Sequence, residues 1–351
     1  MKRGLFGGIF LSLWLAAMPA WAQESAPVDT VTWLEGDYIG VGGIDVPKFV
    51  QRRIYTYLMD FFVTDSGVKT ALETIRSSGI VMENILKRIV FGMPVDIERS
   101  EHIILWETSE TLMQYKAILG AHSSKLDVRQ QNGVEYFATK RENECLAILG
   151  NVLVLGSERK VRAVIDAYQK GYKGGPSNPE LHQELKRADK TKDAWFAFVL
   201  GDKERKFIGR GDPIVDMRAG GLGVLNFGDI LRGNASFDFS KGLNVQGNVG
   251  MVSETSAKQA SGVIQKVLLD AASDADVKAS GFDKFIGGIK LGNKKSDMQI
   301  SVVYNQGKFD ELIAAVTQFM KNVPGQNLAA PVVQVNGGGN EVALQTQTKS
   351  N

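Results

Sequence analysis

The sequence predicts an α+β fold of two related lobes, each built from a mainly antiparallel sheet with helices packed on one face. Both halves contain short apolar runs joined at tight turns, as at Asn132-Gly133 and Lys241-Gly242. In both halves an amphipathic helix follows these strands. A stretch rich in Gly, Pro, Ser and Asn at residues 171–179 lies between the halves and is typical of a connection between structural units.

The first half opens with a strand-like segment over Thr30–Val46, which glycines interrupt at Gly40-Val-Gly-Gly43. Glycine inside a strand indicates a bulge or the close approach of another group to the backbone. Pro47 can start a helix, and apolar residues at helical spacing predict that it runs through residues 49–62. A second helical stretch is predicted over residues 67–90.

The middle of the chain predicts strands and hairpins. A strand is expected over Val95–Thr108, a hairpin over Leu126–Thr139 and a second hairpin over Leu146–Gly156. Ser157 is expected to cap a helix that ends at Tyr168.

The second half has a similar order of elements. The predicted segments are a short helix at Pro179–Ala188, strands at Trp195–Leu200, Ala235–Phe239 and Leu243–Val252, an amphipathic helix at Ser253–Ala272, a strand at Met298–Tyr304 and a closing helix at Gly307–Met320.

Residues 1–22 have the three parts of a secretory signal peptide. Lys2 and Arg3 give a basic start, and Ala20-Trp21-Ala22 supplies the small residues before a cleavage point. The apolar core between them, residues 5–17, is shorter than the roughly 20 residues of a membrane-spanning helix. We therefore expect the segment to be removed, which leaves no transmembrane anchor and places the protein in the periplasm or outside the cell.

The predicted layout is a signal peptide at residues 1–22, an N-terminal lobe at 23–172, a linker with a short helix at 173–192, a C-terminal lobe at 193–323 and a disordered tail at 324–351. The tail is polar and rich in Gly and Gln, a composition that is typical of disorder.

The net charge and the cysteine content limit the kinds of partner and of membrane anchor that we expect. Loss of Lys2 and Arg3 lowers the basic residues from 41 to 39, which equals the 39 acidic residues. A neutral mature chain argues against nucleic acid as a partner. The only cysteine, Cys145, lies in an apolar run and is expected to be buried, so no cysteine follows the signal peptide to carry a lipid anchor.

The sequence contains no motif in which residues have the spacing of a known type of catalytic site. The histidines His102, His122 and His182 lie on separate predicted elements and lack the pattern of a zinc site or a catalytic triad. No Gly-x-Ser-x-Gly elbow and no complete nucleotide-binding loop is present. We therefore expect no enzyme activity, no metal and no cofactor; a hydrolase whose residues converge from distant segments is kept as an alternative.

The predicted helix over residues 49–62 is apolar around more than one face. A helix of this kind is either buried in the core or lines an apolar cavity. The first interpretation is favoured, and the second gives a further functional class, a carrier of an apolar ligand such as lipid. The candidate residues on this helix are Phe49, Ile54, Tyr57, Leu58, Phe61 and Phe62.

The segments Val152-Leu-Val-Leu-Gly-Ser157, Val161-Arg-Ala-Val-Ile165, Asn178-Pro-Glu-Leu181 and Asp193-Ala-Trp-Phe-Ala197 resemble uncharacterised exported bacterial proteins with two α+β lobes. The resemblance covers residues 95–320 and implies export and architecture, without any functional residue. The function predicted from the sequence is that of an exported, soluble, non-catalytic binding or scaffold protein of the bacterial cell envelope. Its partner is expected to be a protein or an apolar small molecule.

Overall fold

The computed structural model describes residues 29–56, 85–94, 101–109, 126–139, 144–171, 174–208, 214–215 and 224–321. The strands are β1 Tyr38–Asp45, β2 Leu86–Pro94, β3 Ile103–Thr108, β4 Leu126–Gln131, β5 Val134–Thr139, β6 Glu144–Leu149, β7 Val152–Ser157, β8 Ala194–Val199, β9 Ile214–Val215, β10 Val224–Leu225, β11 Ile230–Asp238, β12 Gly242–Met251, β13 Ile289–Lys294 and β14 Asp297–Asn305. The α-helices are α1 Val46–Val50, α2 Glu158–Gln169, α3 Pro179–Arg187, α4 Asp202–Ile208, α5 Glu254–Ser273, α6 Ala275–Ser280, α7 Asp283–Ile286 and α8 Gln306–Lys321, with 3-10 turns at Thr30–Trp33 and Phe227–Asp229.

Twelve strands form one antiparallel sheet in the order β13-β14-β12-β11-β8-β1-β2-β3-β7-β6-β5-β4. The predicted α+β class, with a mainly antiparallel sheet and packed helices, is confirmed. The strands of the two halves share this sheet, because β8 pairs with β1 on one side and with β11 on the other.

The front face of the sheet carries Val41, Val90, Leu105, Val154 and Trp195, which are all buried. The helix α2 of the first half and the helix α3 of the predicted linker pack on this face and complete its core. Cys145 lies in the same cluster and is buried, as predicted.

The back face of the sheet is covered in the second half of the chain by α5 and α8. Ala257, Ala260 and Val263 of α5 pack against Met251 and Met298. Phe309 of α8 packs with Tyr304 and Phe285 in a neighbouring cluster. Among the described helices, α2 and α3 therefore pack on the front face, and α5 and α8 pack on the back face.

The predicted turns are found at the predicted residues. Asn132 and Gly133 join β4 to β5 with φ values of 49° and 81°, the left-handed conformation that an Asn-Gly hairpin turn requires. Ser253 caps α5 by accepting a hydrogen bond from the Ser256 amide. Ser157 precedes α2 as predicted, but its side chain makes no capping hydrogen bond.

Two sequence predictions at the start of the chain are wrong. Residues 86–90 belong to β2 and not to a helix, because Ile89, Val90 and Phe91 pair with β1 on one side and β3 on the other. Such β-branched and aromatic residues suit a strand that is paired with a neighbour along both of its edges. Residues 30–33 form a 3-10 turn, so the first strand begins only at Tyr38.

Several predictions fall on residues that the structure does not describe. These are the signal peptide at 1–22, much of the predicted helical stretch at 67–90, residues 95–100 of the strand predicted over Val95–Thr108, His122 and the tail at 324–351. The lobe boundaries and the linker at 173–192 stay predictions, although the short helix predicted there is present as α3.

Gly242 at the start of β12 offers a stability test. Its φ is +122°, and an added Cβ would overlap the backbone of Tyr304 and Asn305. Gly242→Ala is therefore expected to lower the free energy of unfolding by about 1–3 kcal/mol, measured by urea denaturation. The matched control is Gly262→Ala on the open surface of α5, where an added Cβ meets no other atom. This substitution should stabilise the protein by up to about 1 kcal/mol, because alanine favours a helix more than glycine does. Equal effects of the two substitutions would contradict this explanation.

Candidate functional site

Large aromatic side chains lie on the back face where the two halves of the sheet meet. Phe91 projects from β2, and Phe196 and Phe198 project from β8, on either side of β1. Gly42 of β1 is the register partner of both Phe91 and Phe196. The three rings therefore flank a strand that has no side chain at this position.

Glycines beneath the rings allow them to lie down on the sheet. An added Cβ would come within 2.8 Å of the Phe196 ring at Gly40 and within 2.6 Å of the Phe198 ring at Gly233, and it would overlap the Phe91 ring at Gly42. Real Cβ atoms do not make contacts this short, so the rings occupy the space that glycine leaves free.

The three rings are close to parallel. Their centroids are 6.1 Å apart for Phe91 and Phe196, with an interplanar angle of 16°, and 5.9 Å apart for Phe196 and Phe198, with an angle of 24°. We call Phe91, Phe196 and Phe198, together with the glycines beneath them, the aromatic floor. The three rings lie side by side, with nearly parallel planes, where the two halves of the sheet meet.

The surroundings of the aromatic floor are apolar. All three rings are half-buried, and Met93 beside them is 39% exposed. Further apolar side chains at back-face positions of β1, β2 and β3 extend the surface: Ile44, Ile89, Ile104 and Trp106. A half-buried apolar surface of this kind can bind a ligand that needs no hydrogen bonds.

The helix predicted over residues 49–62 is described only to residue 56, and that part is not continuous, because α1 ends at Val50 and residues 51–52 form a turn before helix resumes at residue 53. Phe49 packs against Phe239 with ring centroids 5.9 Å apart, and Ile54 packs in the cluster around Phe309. These two residues thus contact the core beneath α8. The other four candidates, Tyr57, Leu58, Phe61 and Phe62, lie outside the described residues.

The residues of the aromatic floor were not predicted from the sequence. The available signal was the Gly40-Val-Gly-Gly43 interruption, which indicated a bulge or a close approach. Both are present: the register shifts between Tyr38 and Gly40, and the phenyl rings approach the glycines. The identity of the approaching rings depends on the pairing of distant strands.

The described histidines do not form a catalytic group with one another. The His182 ring contacts the carbonyl oxygen of Pro176, and His102 lies at the start of β3, where its carbonyl oxygen accepts from the Ser157 amide. Within the described ranges no group of three or more His, Cys, Asp or Glu side chains is placed to hold a metal ion. In the same part of the chain, no helix has both the length and the apolar character that a membrane crossing requires.

Comparison with known proteins adds a distant likeness. No family model matches the chain, and no curated protein matches it. Crystal form I of TP0453 is similar over 83% of this chain and 98% of its own, with a TM-score of 0.45 and 6% identity. Crystal form III of TP0453 is similar over 83% and 99%, with a TM-score of 0.46 and 8% identity. No functional residue is carried over from a likeness at this level.

Proposed function

We propose that the chain is an exported, non-catalytic binding protein of the bacterial cell envelope that holds an apolar ligand, the acyl chain of a lipid, on the aromatic floor. The observation that supports this most is the half-buried, nearly parallel arrangement of Phe91, Phe196 and Phe198 over strand glycines. The predicted signal peptide supports export, and an acyl chain that moves through water needs an apolar surface on its carrier.

An acyl chain fits this surface better than a polar ligand. The floor offers ring faces, and the neighbours named above offer methyl and methylene groups, Met93 Sδ and the indole of Trp106. Each methylene that leaves water for such a surface contributes about 0.8 kcal/mol. A ligand with hydroxyl or carboxylate groups would lose its hydrogen bonds to water there without replacement.

A carboxylate placed at the edge of the floor should weaken the binding of an apolar probe. Met93 is 39% exposed, so the folded protein can accommodate Met93→Asp. A bound acyl chain would cover the new carboxylate and remove it from water, which is unfavourable. We expect the affinity for the fluorescent probe N-phenyl-1-naphthylamine to fall by about tenfold or more, which corresponds to about 1.4 kcal/mol. The probe is titrated into the purified mature chain, and fatty acid is then used to displace it.

The matched control is Val303→Asp. Val303 is an apolar strand residue with 56% exposure, and it lies on the front face of β14, away from the floor. This variant should bind the probe like the wild type. A wild-type protein that does not bind the probe, or equal losses in the two variants, would contradict the proposal.

A further inference from the structure

The front face of the second half carries a polar groove, which is separate from the aromatic floor. It has a volume of about 110 Å³ and lies where β11 and β12 pass the end of α3. We call it the polar groove; its lining consists of Arg187, Asp189, Lys192, Asn234, Ser236, Asp238, Asn244, Gln246 and Asn248. The aromatic floor lies on the opposite face of the sheet.

The cations of the polar groove are paired with carboxylates of the protein. Arg187 contacts Glu184 at 2.9 Å and Asp297 at 3.5 Å. Lys192 contacts Asp238 at 3.0 Å. Hydrogen bonds from Ser240, together with the Lys192 ammonium, lower the pKa of Asp238 to about 2, so this pair is ionised at neutral pH. A charged ligand would have to compete with these pairs.

Neutral side chains line the base of the polar groove. Hydrogen bonds within the protein fix the orientation of two of them, Asn234 and Asn248. The Asn234 amide nitrogen donates to Glu184, and its Oδ1 accepts from the amide nitrogen of Asn248 at 3.2 Å. Asn234 is buried, with 5% exposure. Because the Asn248 nitrogen is committed to Asn234, Asn248 Oδ1 is left as an acceptor without a partner among the described residues.

The same reasoning applies further along β12. Gln246 Nε2 donates to Asn244 Oδ1 at 3.0 Å and to Ser301 Oγ at 2.8 Å. Within the described part of the chain, Gln246 Oε1 is thus left as an acceptor without a partner, and Asn244 Nδ2 as a donor without one. On β11, Ser236 Oγ accepts from the Asp189 amide at 2.7 Å, which leaves its hydroxyl hydrogen to donate.

We propose that the polar groove binds a short neutral oligosaccharide along β12. The groove offers both unused acceptors, which are amide oxygens, and unused donors, which are an amide nitrogen and a hydroxyl. Sugar hydroxyls can bond to both kinds of group, because each one donates and accepts. The row from Asn244 to Asn248 extends over about 13 Å at the usual strand rise, so it reaches beyond one sugar ring. An extended peptide would also bring side chains, for which the described lining offers no apolar pocket. Asp189, the lining carboxylate that forms no ion pair among the described residues, already accepts hydrogen bonds from the amide and the hydroxyl of Thr191.

Isothermal titration of the full mature chain tests this proposal with three neutral probes, chitotriose, maltotriose and cellotriose. Trigalacturonate is the charged comparison, and hexaglycine is the neutral peptide comparison. We expect at least one neutral trisaccharide to bind. Gln246→Leu, an exposed position, should weaken that binding by about tenfold, the effect of losing about 1.4 kcal/mol of hydrogen bonding.

Gln299→Leu is the matched control, because Gln299 is an exposed glutamine on the same face of the neighbouring strand β14 and outside the groove. It should bind the sugar like the wild type, and so should Met93→Asp, which affects only the aromatic floor. Thermal melting confirms that Gln246→Leu is folded. Absence of binding by all three neutral sugars at millimolar concentration, stronger binding of trigalacturonate or hexaglycine, or equal losses in the two glutamine variants would overturn the proposal.

Discussion

Glu184→Ala is expected to lower the free energy of unfolding by about 2–3 kcal/mol, because it leaves buried hydrogen-bond donors without their acceptor. The Glu184 side chain is 1% exposed. It accepts hydrogen bonds from Arg187 at 2.9 Å, from Arg232 at 3.0 Å and from Asn234 at 2.5 Å. Alanine would leave the buried Asn234 amide without this acceptor, and it would remove one of the two carboxylates that the half-buried Arg232 guanidinium contacts.

The effect should be large because Glu184 connects distant parts of the chain. It belongs to α3, while Arg232 and Asn234 belong to β11, and Arg232 also contacts Asp297 of β14 at 3.0 Å. Removal of one carboxylate therefore weakens the attachment of α3 to two strands, β11 directly and β14 through Arg232.

Chemical denaturation of Glu184→Ala measures this loss, and Glu180→Ala is the control. Glu180 lies on the same helix but is exposed, so its removal should cost less than about 1 kcal/mol, mainly through its favourable position near the helix N-terminus. A loss for Glu184→Ala that does not exceed the loss for Glu180→Ala would show that the network contributes little to stability.

Gly42→Ala should both destabilise the protein and weaken the binding of an apolar ligand. The added methyl group would overlap the Phe91 ring, and overpacking of this kind costs about 1–3 kcal/mol. If the ring turns away to relieve the overlap, the aromatic floor is no longer flat. Urea denaturation and titration with N-phenyl-1-naphthylamine measure the two effects.

A double-mutant cycle with Phe91→Ala identifies the cause. In the Phe91→Ala background there is no ring to overlap, so Gly42→Ala should cost less there, with a coupling of about 0.5–3 kcal/mol. Gly292→Ala in β13 is the control, because the nearest atom to its added Cβ is 3.7 Å away. Additive losses from the Gly42 and Phe91 substitutions would argue against rings that lie on strand glycines.

Local chemistry explains which elements can be predicted from the sequence. Asn132-Gly133 specifies a hairpin turn by itself, and Ser253 with the apolar spacing of the following residues specifies α5, so both were predicted correctly. Residues 86–90 were predicted as helix because Leu86 and Ile89 are three residues apart. Pairing with β1 and β3 gives this segment a strand conformation, and tertiary pairing often overrides such local spacing.

The candidate sites depend on pairings between distant segments. Phe91 and Phe196 meet only because β1 pairs with β2 on one side and with β8 on the other. The polar groove likewise needs α3 beside β11 and β12. The sequence indicates that something approaches the Gly40–Gly43 backbone, but a one-residue change in register would move every ring to the other face.

Quenching of Trp106 by a brominated fatty acid tests the central claim most directly. Trp106 is half-buried on the apolar back face near the aromatic floor, whereas Trp33 and Trp195 are buried in the front-face core at 7% and 3% exposure. If the floor binds an acyl chain, dibromostearic acid should quench the fluorescence of the mature chain, stearic acid should not, and Trp106→Phe should remove most of the quenching. No quenching in the wild type, or equal quenching in Trp106→Phe, would contradict an acyl-chain site on the aromatic floor.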